Sequence, residues 1–220
     1  VNAHPQVPEK PDVLSVFGSK KQQKHSLHLR RFEFLNEAVS ELGDLISVYG
    51  NGFHRVEYKA EAIDSFKYHL AVENHIGPHH WTEKLSDAFL GYSLPFYVGC
   101  PNAAEYFPED AFIPIDMRDT KKAVDTIRAA IADNAFEKRL PAIIEARRRV
   151  IEDFNLGNMV AKHIIEADEK LGAVPRMPTQ IKSRHAIMRS GLLAFLRYAF
   201  GKMRARAYNK GYWKEYLTRR

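Results

Sequence analysis

Residues 66–108 read FKYHLAVENHIGPHHWTEKLSDAFLGYSLPFYVGCPNAAEYFP, and they carry the clearest structural signal in the chain. The run 68–74 predicts a buried strand, and the run 94–99 predicts a second one. Between them lies a polar loop that ends at Thr82, a typical N-cap residue, so we expect a helix from there through about Leu90. A strand, a helix and a second strand in this order indicate a parallel βαβ unit.

The same alternation continues on both sides of this unit. Strand-like runs lie at 13–17, 45–50 and 112–115, and helical spacing of apolar residues covers 25–42, 119–134, 137–155 and 157–171. This order predicts an α/β fold, a Rossmann-like parallel sheet flanked by helices on both faces, with a basic helical C-terminal tail. We assign residues 1–12 to a linker, 13–172 to the Rossmann-like domain, and 173–220 to a linker and a basic amphipathic helical tail. Since the chain begins with Val, we expect it to be a piece of a longer protein.

Several kinds of nucleotide and metal site do not fit the sequence. A dinucleotide fingerprint would need a third glycine after Gly50 and Gly52, and Arg55 stands there instead. No P-loop pattern and no Asp-x-Asp motif occurs, and Cys100 is the only cysteine. We therefore expect no metal, no cofactor and no disulfide.

Ligands of parallel sheets bind beyond the carboxyl ends of the strands, which directs attention to the start of the helix at Thr82. Lys84 and the free N–H groups of the first helical turn suit a diphosphate. Glu83 could accept hydrogen bonds from a ribose diol. Taken alone, Glu83 is more often an acid that complements the helix dipole, and Asn74 is more often a turn residue. Lys84 opposes the dipole, which favours an anion nearby.

The motifs of this region also resemble the signature of glycosyltransferase family 10, the α-1,3-fucosyltransferases. The matching motifs are A-V-E-N at 71–74, T-E-K-L-x-D-A at 82–88, L-P-F-Y-V-G at 94–99, P-N at 101–102 and F-P at 107–108. Weaker similarity at Arg30-Arg31 and at 47–50 extends the resemblance to about residues 13–155. The resemblance implies the C-terminal, GDP-fucose-binding lobe of a two-lobed (GT-B) enzyme that needs no metal.

The resemblance also implies roles for individual residues. Glu83 and Lys84 would hold the ribose and the phosphates, Asn74 and His80 would line the same pocket, and Arg30 or Arg31 would neutralise the diphosphate. The reaction would be a single inverting displacement by a glycan hydroxyl, and its general base would belong to the missing N-terminal lobe. No catalytic residue is then expected in this chain.

The sequence departs from the family pattern at Val72, His75, His80 and Trp81, close to the expected pocket. These departures put the identity of the base and sugar in doubt more than the fold. Two alternatives therefore stay open: the same scaffold with another nucleotide sugar, and a non-catalytic nucleotide-binding homologue.

The charge of the chain is unevenly distributed. Residues 182–220 hold eleven Lys or Arg residues and one acid, a net charge of +10, whereas residues 1–181 sum to −4. Apolar residues recur at helical spacing from Met188 to Met203. Within 184–220, this composition is typical of a helix that lies on an anionic membrane surface, and a helix packed on the body is the alternative. We expect no nucleic-acid partner. The expected location is peripheral, at the bacterial cytoplasmic face of a membrane, or in the Golgi lumen if the parent is eukaryotic.

Overall fold

The computed structural model describes residues 6–19, 27–172, 180 and 182–218, with side chains as far as residue 208. The chain forms two compact units, residues 1–162 and 163–220. The predicted domain limits differ from this division, and they stay a prediction. The linker expected at the start of 173–220 lies largely outside the described residues.

The first unit is built on a five-stranded sheet. Its strands are β1 (Asp12–Ser19), β2 (Ile46–Asn51), β3 (Phe66–Val72), β4 (Leu94–Val98) and β5 (Ile113–Pro114). Their order across the sheet is β2-β1-β3-β4-β5, and every neighbouring pair is parallel. The structure thus confirms the predicted α/β fold with a parallel sheet and all five predicted strands.

The helices connect the strands or follow the last of them, and the fifth is mostly exposed and runs across the boundary between the two units. They are α1 (Leu27–Leu42), α2 (Glu83–Leu90), α3 (Thr120–Ala132), α4 (Ala135–Glu152) and α5 (Leu156–Leu171). Short 3-10 turns lie at Lys59–Ala62, Ala103–Glu105 and Glu109–Ala111, among others. In the layer formed by α2 and α4, a core cluster joins Ala71 and Tyr97 of the sheet to Leu85 and Phe89 of α2. Alternate strand residues point to opposite faces, so Tyr68 and Leu70 are buried on the other face.

Two boundaries differ from the predictions, one at each edge of the sheet. The third strand was expected to reach Asn74, but β3 ends at Val72. Glu73 still donates its N–H to the Val98 carbonyl at 2.8 Å, while its side chain turns back toward the start of α2. Asn74 is consequently an exposed loop residue.

The second difference concerns the expected N-terminal linker, which ends in buried structure. Lys10 is only 7% exposed. Its ammonium donates to the carbonyl oxygens of Asp64 (2.9 Å), Phe66 (2.8 Å) and Gly91 (2.6 Å). These residues lie close to the starts of β3 and β4, so Lys10 joins the two strands at the amino edge of the sheet.

The second unit contains helices α6 (Arg184–Arg189) and α7 (Leu192–Thr218). Ser183 caps α6, since its side chain accepts a hydrogen bond from the Ala186 N–H. Large apolar side chains on α7 are exposed; they are Leu192, Leu193, Phe195, Leu196, Phe200 and Met203. In the part of the chain that the structure describes, no helix combines the length and the apolar character needed to cross a bilayer.

Candidate functional site

A cavity of about 190 Å³ lies at the carboxyl ends of β1 and β3, beside the start of α2. Five segments contribute to its wall, and the residues are Phe17, Gly18, Arg31, Lys59, Ile63, His69, Leu70, Ala71, Val72, Glu83, Lys84 and Asp87. This is the sheet edge at which ligands of parallel α/β folds bind. The cavity is therefore the candidate site.

The N-terminus of α2 at this cavity is held in place by a buried carboxylate. Thr82 caps the helix, with its hydroxyl oxygen accepting from the Lys84 N–H. The Glu73 carboxylate accepts from the Thr82 N–H at 2.9 Å and from the Thr82 hydroxyl at 2.6 Å. Because the Glu73 side chain is only 1% exposed, these hydrogen bonds fix the first turn of the helix against the end of β3.

The backbone at Gly99 lies close to the Glu73 side chain and restricts it from another direction. A Cβ atom added to Gly99 would lie 2.5 Å from Glu73 Cγ and 2.3 Å from the Tyr97 hydroxyl. No larger residue fits at position 99 without displacing these groups. Glu73 belongs to the quoted A-V-E-N motif, yet sequence analysis gave it no role, because its burial depends on Thr82 and Gly99, which come later in the chain.

Glu83 and Lys84 both line the cavity from the first turn of α2. The Lys84 ammonium donates to Glu83 Oε1 at 2.9 Å and lies 3.6 Å from Glu73 Oε2. Partial burial raises the pKa of Glu83, but the hydrogen bond from Lys84 and its charge outweigh this, so the pKa lies below its ordinary value. The turn presents an ionised carboxylate and an ammonium side by side.

The structure separates the two neighbouring arginines. Arg31 lines the cavity and donates to the carbonyl oxygens of Val72 (2.9 Å) and Phe17 (3.1 Å). Burial lowers the pKa of Arg31, and the charge of Glu73 opposes that shift. Arg30 instead donates to the Met117 carbonyl oxygen at 2.6 Å and contacts carboxylates of α1. Of the two, Arg31 is the one at the cavity.

Two other predicted site residues do not lie on the described wall of this cavity. Asn74 and His80 are both exposed, and the described wall contains neither. The His80 ring stands edge-on to the His75 ring, with 4.7 Å between centroids. Burial lowers the pKa of His75, and the neighbouring His80 acts in the same direction.

The sequence departure at Trp81 has a packing explanation. Its ring lies 5.0 Å from the Phe107 ring and 5.3 Å from the Phe154 ring, centroid to centroid. It therefore packs with an aromatic cluster at the C-terminal end of α4 and is not part of the described cavity wall.

The wall also contains residues that sequence analysis missed, among them Phe17, Lys59, His69 and Asp87. His69 is fully buried and its Nδ1 lies 2.8 Å from the Ser15 hydroxyl. Burial lowers the pKa of His69 to about 3, so this part of the wall is uncharged at neutral pH. Within the described ranges, no group of three or more His, Cys, Asp or Glu side chains is arranged to hold a metal ion.

Comparison with known proteins gives a consistent result. Residues 7–136, more than half of the chain, match the sequence profile described as glycosyltransferase family 10 (fucosyltransferase) C-term. The α-(1,3)-fucosyltransferase FucT of Helicobacter pylori is 32% identical over 76 residues, which are 34% of this chain and 16% of that protein. This chain therefore spans about a sixth of that relative.

Solved structures are also similar to part of the chain. Crystal structures of α1,3-fucosyltransferase with GDP-fucose and with GDP are each 26% identical, with a TM-score of 0.48. Each alignment covers 59% of this chain and 38% of the solved chain.

Proposed function

The chain belongs to glycosyltransferase family 10, the fucosyltransferases, and from this premise we propose that it is the part of such an enzyme that binds the GDP-fucose donor. One observation carries the proposal. Arg31, Glu83 and Lys84 line a single cavity at the carboxyl edge of the sheet, where helix α2 also begins. Two cations at the N-terminus of a helix suit a diphosphate, and a carboxylate suits a ribose diol.

In the proposed complex, the diphosphate lies against Lys84, Arg31 and the first turn of α2, and the ribose hydroxyls donate to Glu83. As the bond between the sugar and the diphosphate breaks, negative charge grows on the departing GDP. Fixed cations and N–H dipoles that are already in position stabilise this charge without reorganisation. We propose that this chain's contribution to the reaction is stabilisation of the leaving group.

The remaining chemistry is proposed to depend on residues outside this chain. An acceptor hydroxyl of a glycan attacks the anomeric carbon from the face opposite GDP, which inverts the configuration, and a general base takes its proton. We assign the base to the part of the enzyme that precedes this one, since the matching profile describes the C-terminal part of the family. The chain alone should then bind donor without transferring fucose to a glycan.

The nucleotide preference tests the proposal against its alternatives. The melting temperature of the chain is measured with GDP, UDP, ADP and CMP at equal concentrations, because a ligand that binds the folded state raises it. Stabilisation by GDP above the others supports the fucosyltransferase assignment. Preference for another nucleotide favours a different sugar donor, and no stabilisation by any of them favours a non-catalytic homologue.

We also propose that α6 and α7 bind an anionic membrane surface, which would make the protein a peripheral membrane protein. Exposed Leu196, Phe200 and Met203 share α7 with Arg197 and Arg204. Exposed apolar and basic side chains on one helix suit the interface of a membrane with anionic lipids. Each Lys or Arg near such a surface contributes about 1 kcal/mol.

Vesicle co-sedimentation of the full chain tests this proposal. Arg197→Gln combined with Arg204→Gln should reduce sedimentation with phosphatidylserine vesicles, and raised salt should reduce it further. The matched control replaces two exposed lysines of the first unit, Lys121→Gln and Lys138→Gln. Equal sedimentation of the α7 variant and the control would instead favour a helix that packs against protein.

A further inference from the structure

A group of polar and aromatic side chains lies at the same edge of the sheet as the cavity, outside the described cavity wall. It consists of His79, on the loop between β3 and α2, and of Asn102, Glu105 and Tyr106, which follow β4. Because β3 and β4 are parallel neighbours, both loops start at the carboxyl edge of the sheet. We call these four residues the His79 cluster. Asn102 belongs to the P-N motif at 101–102, which the proposed donor site does not use.

Side-chain hydrogen bonds hold the His79 cluster together. The Asn102 amide oxygen accepts from the His79 backbone N–H at 2.8 Å and from the Cys100 thiol at 3.1 Å. A backbone N–H only donates, so the orientation of the amide is fixed, and its nitrogen lies 3.0 Å from His79 Nδ1. The Tyr106 hydroxyl lies 2.6 Å from the same ring nitrogen. Two side chains of the segment after β4 thus hold the ring of His79.

The backbone of His79 is strained, although the side chain is exposed. Its φ of 58° lies in the left-handed region, which is uncommon for residues other than glycine. The contacts with Asn102 and Tyr106 keep the residue in this conformation. The side chains of His79 and Glu105 nevertheless keep 61% and 63% of their surface exposed. Strain that presents polar groups to solvent is typical of sites that bind a ligand.

The His79 cluster keeps hydrogen-bonding groups for such a ligand. If the Tyr106 hydroxyl donates to His79 Nδ1, the histidine Nε2–H stays a donor and the tyrosine oxygen stays an acceptor. In the other tautomer of His79 the roles are exchanged, and the pair again keeps one donor and one acceptor. The Glu105 carboxylate, 3.8 Å from His79 Nδ1, accepts further hydrogen bonds. The four residues include no Lys or Arg, so the cluster suits a ligand rich in hydroxyl groups better than an anion.

We propose that the His79 cluster binds a sugar ring of the acceptor glycan; this inference rests on the proposed function. Each sugar hydroxyl both donates and accepts, which matches the donor and the acceptor of the pair formed by His79 and Tyr106. The half-buried ring of Tyr106, edge-on to Trp81, adds an apolar contact for the C–H groups of the sugar. The donor-binding part of the enzyme would then also contribute to the choice of acceptor.

The His79 cluster also lies close to the proposed donor position. His79 precedes Thr82, the N-cap of α2, by three residues, and three residues of chain span at most about 11 Å. Glu83 and Lys84, which we assign to the donor, follow Thr82 directly. An acceptor hydroxyl reacts only when it is about 3–3.5 Å from the anomeric carbon of the donor. The acceptor must therefore pass close to the start of α2, where the His79 cluster lies.

Saturation-transfer NMR of the full chain in the presence of GDP tests the proposal. The probes are four neutral disaccharides, namely lactose, N-acetyllactosamine, cellobiose and maltose, and we expect transfer to at least one of them. Glu105→Gln removes a charge but leaves the contacts of Asn102, and it should weaken that binding by at least about threefold, since hydrogen bonds to a charged group are the stronger kind. Glu109→Gln, which replaces another exposed carboxylate, is the matched control and should bind the sugar like the parent.

A second variant separates binding from folding. His79→Gly removes the ring but suits the positive φ, and the contacts that it loses are exposed, so the variant should melt no lower than the parent. Its sugar binding should fall by at least about threefold, whereas its GDP affinity should stay within about twofold of the parent. A purely structural role predicts the reverse, a lower melting temperature with unchanged sugar binding, and that result would overturn the proposal.

The outcomes also separate this proposal from the proposed function. If the chain binds GDP but none of the four disaccharides, the acceptor site is wrong and the donor assignment stands. The same holds if Glu105→Gln and His79→Gly both bind sugar like the parent. If the chain binds a disaccharide but no GDP, the proposed function fails, and the assignment of the bound sugar to an acceptor fails with it.

Discussion

Lys10 and Lys84 lie at opposite edges of the same sheet, and their surroundings differ. At the amino edge, the Lys10 ammonium donates to several backbone carbonyl oxygens and to the Ser93 hydroxyl. At the carboxyl edge, the Lys84 side chain is 23% exposed, lines a cavity and contacts the carboxylates of Glu73 and Glu83. Lys10 is enclosed by the protein, whereas Lys84 keeps one side open to solvent.

This is the difference expected between a structural cation and the binding cation that we propose Lys84 to be. The acceptors around Lys10 belong to backbone that joins β3 and β4, so its removal should affect folding. Lys84 instead lies on the wall of a cavity at the N-terminus of α2, where we propose that the diphosphate binds. The two lysines should therefore fail differently when each is substituted.

The largest effect is expected at Lys10. Lys10→Met keeps the apolar stem but removes the donor, leaving the carbonyl groups of Asp64, Phe66 and Gly91 without it. We expect the free energy of unfolding to fall by about 2–4 kcal/mol, the cost of buried acceptors without partners, as measured by urea denaturation. GDP affinity of the folded variant should stay within about twofold of the parent. Weakened GDP binding at unchanged stability would contradict the comparison.

At Lys84 the expected pattern is reversed. Lys84→Ala should weaken GDP binding by about 1.5–3 kcal/mol, the value of a hydrogen bond to a charged group. Its free energy of unfolding should fall by less than that of Lys10→Met, because the buried Glu73 carboxylate keeps both hydrogen bonds from Thr82 and the ion pair with the exposed Glu83 contributes little. Calorimetry and urea denaturation measure the two quantities, and Lys67→Ala, an exposed lysine paired with Glu137, is the control. Parental GDP affinity in Lys84→Ala would remove this residue from the site.

The contrast also shows what the sequence could predict. The sequence could predict a site at Glu83 and Lys84, which the structure places on the cavity wall, because the signal is local: an N-cap residue, a first helical turn and the end of a strand lie within a few residues. The five strands and their parallel direction were predicted for the same reason, since each is indicated by a short run of neighbouring residues. Lys10 and Glu73 were missed, because their partners are far along the chain or depend on how a loop folds back.

The two arginines illustrate a limit of spacing arguments. Neighbouring residues on a helix point about 100° apart, so only one of Arg30 and Arg31 can face the cavity from α1. The sequence motif cannot distinguish them without the phase of the helix relative to the sheet. The structure supplies this phase, since Arg31 contacts the ends of β1 and β3 and Arg30 contacts the Met117 carbonyl.

This assignment gives a smaller, sharper test. Arg31→Gln should weaken GDP binding by about 1–2 kcal/mol more than Arg30→Gln does, because only Arg31 places its charge at the cavity. The effect is modest because two Arg31 donors are already engaged by carbonyl oxygens. Calorimetry at matched ionic strength measures the difference. A larger loss in Arg30→Gln would show that the diphosphate binds on the other side of α1.

Lys10 should also make the free energy of unfolding depend on pH. Burial lowers the pKa of Lys10 from 10.5 to about 8, and the charge of Asp64 opposes the shift. Between these values the unfolded chain binds a proton that the folded chain does not, so the free energy of unfolding rises with pH. The parent should therefore gain about 1 kcal/mol relative to Lys10→Met between pH 8.5 and 9.5. A difference that stays constant with pH would show that the ammonium keeps its proton.

The smallest expected effect concerns divalent metal, and it tests whether the open edge supplies enough positive charge by itself. Arg31, Lys84 and the N-terminus of α2 surround the proposed diphosphate position, and the sequence contains no Asp-x-Asp motif. We expect GDP affinity to change by less than about twofold, under roughly 0.4 kcal/mol, when divalent cations are removed. Calorimetry is performed in EDTA and, because EDTA is itself an anion, also in buffer depleted of metal by a chelating resin. Loss of GDP binding in both buffers that manganese restores would show that a metal ion, and not Lys84 and Arg31 alone, carries the diphosphate.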